Sequence, residues 1–285
     1  MKLIYLCFSV FILTVLLISC SSDSIVQPTG PTSYENASFS KGGIMYDKFW
    51  STESGFNQND PNIATFNAKS DFFRCKQCHA WDYLGRNGSY IGRGPNANRP
   101  NVAALNLYSL IQSKTPQQLF DAMKSSTGRR DISFDFNTYV FSDSNNDGHK
   151  MPNYSQILTD AQIWDIVKYF KEAIFDVSQL YDATYNGVYP TGTASYSNIG
   201  KDGNAGNGNT YYSSICASCH GPTGTAFLIE NMTLGKFART KPNEVHHKVK
   251  YGQLGTSMPA DFNISITKMK DLYKALSDTV AFPNQ

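Results

Sequence analysis

Neither sign of charge predominates in the sequence, where 25 Lys and Arg face 23 Asp and Glu. No overall field therefore draws the chain to nucleic acid, and charge by itself names no partner. No grouping of nucleophile, base and orienting side chain stands out as a catalytic constellation. Cysteine is scarce, with six in 285 residues. Once two near the N-terminus are set aside, only four remain to be explained. Long apolar runs are confined to the first residues of the chain. The 41% hydrophobic and 13% aromatic content is nevertheless ample for packed cores, and the length allows one large or two small domains.

The one apolar run, "LIYLCFSVFILTVLLI" after Lys2, reads as an export signal over residues 1–19. It is short for a retained membrane span, and one lysine is a weak topological flank. The boundary "LISC" resembles the bacterial lipobox, which implies that Cys20 is the acylated first residue of the mature protein. Multiple acyl chains anchor stably where one does not. Ordinary cleavage would instead leave Cys20 as a free thiol. The polar stretch that follows, rich in Ser, Pro and Thr, cannot bury enough apolar surface to order itself, so residues 20–39 read as a tether.

The four remaining cysteines lie in "CKQCH", residues 75–79, and "CASCH", residues 216–220. Two thiols three positions apart on one helical turn can reach the two vinyl groups of a haem, and the next histidine is held against the iron. Cys75 and Cys78 would carry one haem with His79 as ligand, and Cys216 and Cys219 a second with His220. A four-cysteine zinc site would need far closer pairs and leaves both histidines unexplained. Thioredoxin-like redox pairs need a βαβ setting, which is missing here. Structural disulfides do not call for a following histidine.

The halves repeat one order of parts. After each CxxCH come a Pro-initiated short helix, a Met-Pro and a closing helix. The Met-Pro turns are "DGHKMPNY" and "GTSMPADF". The first closing helix has a capping box, Thr159 with Gln162, and a stripe of Ile163, Val167, Phe170 and Ile174. The second has Ile266, Met269, Tyr273 and Leu276. Before "CASCH", Gly208, Tyr212 and Cys216 are spaced by fours, on one helical face.

Each half therefore resembles a class I cytochrome c domain. The resemblance implies an all-α fold of two tandem domains, residues 40–176 and 202–285, joined by a linker over 177–201 with few helix formers. It also implies two covalent haem c groups and a distal methionine sulfur on each iron, Met258 in the second half and Met151 in the first. His246 and His247 are rivals for Met258, read as solvated beside Lys248 and Lys250. His149 is the rival for Met151 and would give a haem of lower potential. The first half departs from the family pattern because its Gly and aromatic, in "GGIMYDKFW", stand well before Cys75. Gly42, Tyr46 and Trp50 predict the opening helix there, with an insertion between it and the haem turn.

Asp143, Asn145, Asp147 and Gly148 match the start of a calcium loop, but its twelfth position is Tyr154, so a turn is the better reading. Five basic residues between Lys236 and Lys250 offer either a docking patch for an acidic redox partner or a solvated helix face. The expected function is electron transfer between other redox proteins by an exported, lipid-anchored dihaem cytochrome, periplasmic or cell-surface. The alternative is a dihaem enzyme, a peroxidase or thiosulfate-oxidising dehydrogenase, with one open iron. A gas sensor would also need an open iron.

Overall fold

The computed structural model describes residues 33–48, 74–88, 102, 104–129, 150–156, 158–188 and 192–285. Cys20, His149, Trp50 and the four residues of the calcium-like opening lie outside the described residues. The first half comprises α1 (Phe39–Lys48), α2 (Cys75–His79), α3 (Leu107–Gln112), α4 (Pro116–Lys124) and α5 (Asp160–Glu172). A hairpin follows, β1 (Asp182–Asn186) antiparallel to β2 (Thr193–Ser197). The second half holds α6 (Ala205–Tyr211), one π-helical turn (Tyr212–Cys216), α7 (Ala217–His220), α8 (Leu234–Thr240), α9 (Pro242–Tyr251) and α10 (Ile266–Leu276). Among the described residues no helix is long and apolar enough to cross a membrane.

Both halves are organised by the crossing of an opening and a closing helix, and the two crossings use the same chemistry. On α1, a Cβ added to Gly42 would lie 2.0 Å from the Asp165 carbonyl oxygen of α5; on α6, one added to Gly208 would lie 1.9 Å from that of Asp271 on α10. Only glycine lets the backbones approach so closely. The same two aspartates accept hydrogen bonds from the opening helix just ahead of its first turn, Asp165 from the Ser38 N–H at 2.6 Å and Asp271 from the Asn204 N–H at 2.7 Å. Each carboxylate thereby satisfies an N-terminal donor that its helix cannot.

The closing helix α5 starts at the expected box, with the Gln162 N–H donating to the Thr159 hydroxyl and the Thr159 N–H to Gln162 Oε1. α4 carries a second such box, Thr115 with Gln118, ahead of Pro116. The Phe120 ring of α4 stacks on Trp164 of α5 at 4.2 Å.

Three features differ from the sequence reading. Residues 33–38, read as tether, pack on α5: the Tyr34 hydroxyl donates to Glu172 at 2.8 Å, and Ala37 is buried. The linker is a hairpin, and it is docked. Its Tyr185 hydroxyl accepts from Asn87 at 3.0 Å, Arg86 lies 4.8 Å over the Tyr185 ring, and Tyr181 stacks on Tyr273 of α10. The signal lay in "YNG", a turn dipeptide between alternating Ala and Tyr positions. Finally, one apolar core runs through both halves, from Met45, Tyr46 and Ile166 to Tyr251, Met269 and Leu276.

Candidate haem sites

The first CxxCH is the short helix α2, with both cysteines on one turn, and the second spans the end of the π turn, at Cys216, and α7. None of these four cysteines is joined in a disulfide. Burial pushes the Cys75 thiol up to about 12 and the Cys216 thiol up to about 11. A redox dithiol needs a thiolate at its attacking sulfur, and burial disfavours that form at Cys75 and Cys216.

The opening helices hold both turns by the same bond. The Tyr46 hydroxyl of α1 donates to the Ala80 carbonyl at 2.5 Å, and the Tyr212 hydroxyl donates to the Gly221 carbonyl at 2.6 Å. In each half the acceptor is the residue directly after the CxxCH histidine. Arg74, just ahead of Cys75, donates from Nε to the Asp47 carbonyl at 2.7 Å and pairs with the Asp47 carboxylate. The end of α1 and the start of α2 are therefore neighbours, although 26 positions lie between residues 47 and 74. The expected insertion is closed at its base by this ion pair, and Gly42 and Tyr46 occupy the places of Gly208 and Tyr212.

One difference concerns the second half. Gly208 and Tyr212 are buried, but Cys216 is only half-buried. Spacing by fours predicts one face for all three, whereas the wider π turn from Tyr212 rotates Cys216 away from the α6 crossing.

Each Met-Pro turn is followed, three residues on, by a side chain that contacts the opening part of its half. Tyr154, three residues after Met151, has its hydroxyl 4.0 Å from Cys75 Sγ. Asp261, three residues after Met258, accepts from the Tyr211 hydroxyl at 2.9 Å, on the helix that runs into Cys216. Met151 is half-buried against the core. Met258 is half-buried, and its carbonyl lies where a Cβ on Gly252 would meet it at 2.8 Å.

The donor sets suit iron in a haem. Burial, with Arg129 adding to it, lowers His79 to about 4, and burial also lowers His220. Both imidazoles are neutral at neutral pH, the form that offers a lone pair to a metal. The buried Nδ1 of His79 has no hydrogen-bond partner. Ile215, next to Cys216, and Phe227 and Leu228 are 50%, 47% and 59% exposed, and Phe227 packs on the His220 ring at 4.7 Å. Thiols, imidazole, thioether and an apolar wall are what a covalently held haem requires, so the residues fit the group.

The structure corrects two readings around α9. His246 and His247 are not solvated; they are 1% and 2% exposed. His247 Nε2 is bonded to the Gly43 carbonyl at 3.0 Å, and its ring lies 4.6 Å from Trp81 of the first half. Nor are the basic residues a free patch. Lys250 is buried over the Phe175 ring at 4.3 Å, and Lys248 lies over Trp81. Lys241 pairs with Glu230 and Glu244, and Arg239 donates to the Leu276 and Phe282 carbonyls. Of the five, Lys236 is the one exposed. The hydropathy of α9 gives no hint of this, because its polar side chains are buried by pairing with rings and carbonyls.

The family model of cytochrome c matches residues 66–173. That of cytochrome C oxidase, cbb3-type, subunit III matches residues 203–274. The two matches fall one on each half. No curated protein and no solved structure matches the chain.

Proposed function

The two family matches support a cytochrome c working by haem-based electron transfer, and from that premise we propose an exported dihaem c-type cytochrome that carries single electrons between redox proteins. Cys75 and Cys78 would hold one haem, Cys216 and Cys219 the other. His79 with Met151 and His220 with Met258 would hold the two irons. A donor and an acceptor protein are its partners, and acylated Cys20 would tie it to a membrane at the periplasmic or cell surface. The observation that carries this reading is the duplication: each CxxCH turn is pinned by a tyrosine hydroxyl to the carbonyl after its histidine.

A haem bound here supplies an iron that changes oxidation state by one electron. The chain's own part is to hold, orient and insulate. The cysteines fix the edge of the group, the neutral imidazoles present their nitrogens, and the Met-Pro turns bring a soft sulfur that favours the reduced metal. Transfer of a single electron requires no proton to move.

The test is the purified holoprotein with Met151→Ala and Met258→Ala beside it. Mass and haem staining should show two attached haems, and optical and spin-resonance spectra two low-spin His/Met centres. Each variant should convert one centre to a high-spin form that binds cyanide. A wild type with a high-spin centre would favour the enzyme alternative, and fewer than two haems would overturn the reading.

A further inference from the structure

α9 is buried on nearly all sides although its sequence, "PNEVHHKVKY", is polar; Asn243, His246, His247 and Lys250 are all under 9% exposed. One side rests on its own half, where the Tyr273 hydroxyl is bonded to the His246 N–H at 2.9 Å and donates to the Pro242 carbonyl at 2.6 Å. The other side is covered by the first half. A Cβ on Gly43 would lie 2.0 Å from the Tyr251 ring, so the demand for glycine on α1 is set by a side chain from the second half. The Gly43 carbonyl accepts from His247 Nε2, so the proton sits on that nitrogen, while burial holds the imidazole in its neutral form. The His247 ring is held between Trp81 at 4.6 Å and Tyr251 at 4.8 Å, and Tyr251 meets Tyr169 edge-on at 5.4 Å.

The ends of this stack are specific. Trp81 stands two residues after His79. Tyr251 closes α9 directly ahead of Gly252, which is packed against the carbonyl of Met258. The stack thus runs from the histidine side of the first site to the methionine loop of the second.

We propose that Trp81, His247 and Tyr251, with Gly43, form a fixed joint that couples the two sites, so that one electron passes between them without the halves moving. It rests on the dihaem reading. In such a transfer one iron is oxidised as the other is reduced, and no proton or further reactant takes part. His247 is a positioning residue: it keeps two aromatic rings, one from each half, in contact.

The test uses the holoprotein, its two haems verified by mass, and follows redistribution of one electron after pulse reduction. In His247→Ala, which removes the ring without a clash, the rate should fall by about tenfold or more, because a fixed geometry is replaced by an open one. Both low-spin spectra should remain unchanged. His247→Phe keeps the stack and should retain a rate close to wild type. Calorimetry supplies the second readout: one unfolding transition in wild type, separating into two in His247→Ala and in Gly43→Ala. An unchanged rate together with an unchanged single transition in His247→Ala would overturn the proposal. If fewer than two haems are attached, the dihaem reading fails, and the joint stands or falls on the splitting of the transition.

Discussion

At the scale of single residues, the position after each CxxCH histidine carries most of the local constraint. Gly221 has φ 78° and ψ 165°, and Ala80 has φ 63° and ψ 175°. Glycine is at ease in that region, and an L side chain is not. The backbone is driven there because the carbonyl of the same residue must meet the tyrosine of the opening helix. Ala80→Gly should therefore raise stability, by about 1 kcal/mol. Gly221→Ala, whose new Cβ would sit 3.1 Å from that of Ala226, should lower it by a similar amount. Thermal unfolding of the holoprotein checks both. The cysteines and histidines could be proposed from the sequence because the CxxCH spacing is local. The strained Ala80 was not, since alanine carries no mark of its φ.

Among elements, the unit that repeats is a helix crossing closed by a glycine and fastened by an aspartate. Gly42 and Gly208 each face a carbonyl at about the same distance, and Asp165 and Asp271 each take the N–H just ahead of the opening helix. Gly208→Ala forces α6 and α10 apart and should cost about 1–3 kcal/mol, read from chemical denaturation of the holoprotein. Gly42→Ala should cost as much between α1 and α5. The glycines and the stripes of α5 and α10 were readable from spacing. The aspartates were not, because a carboxylate on a helix usually faces water, and only the crossing brings an unsatisfied N–H to it. The π turn before Cys216 escaped for a similar reason: periodicity by fours assumes a regular helix.

For the whole molecule, the hairpin and α9 turn two halves into one body. Asp82 shows the energetics. It is fully buried where the hairpin meets the first half, and accepts from Asn87 Nδ2 at 2.6 Å, the Tyr181 hydroxyl at 3.0 Å and the Leu84 N–H at 3.2 Å. Burial raises its carboxyl to about 6 against the pull of those three donors. The folded state therefore binds a proton that the unfolded chain releases near 4, so this group's contribution falls as pH rises from about 4 to about 6. By pH 7 the cost approaches about 3 kcal/mol. Asp82→Asn should gain on wild type across that window, and parallel unfolding curves at pH 4 and pH 7 measure the difference. An equal offset at both values would show that Asp82 ionises in the fold as it does in water.

The sequence by itself determined the repeated order of parts: two CxxCH segments, two Met-Pro segments, two closing helices with their caps. Each of these depends on neighbours a few positions apart, and local spacing records it. Tertiary structure alone decided how the halves meet. His246, His247 and Lys250 are polar side chains whose solvation is set by what lies across from them, and their partners, Gly43, Trp81, Tyr83 and Phe175, come from the other half. Whether a polar side chain is buried depends on what packs across from it, and neighbours more than seventy positions away leave no period in the chain.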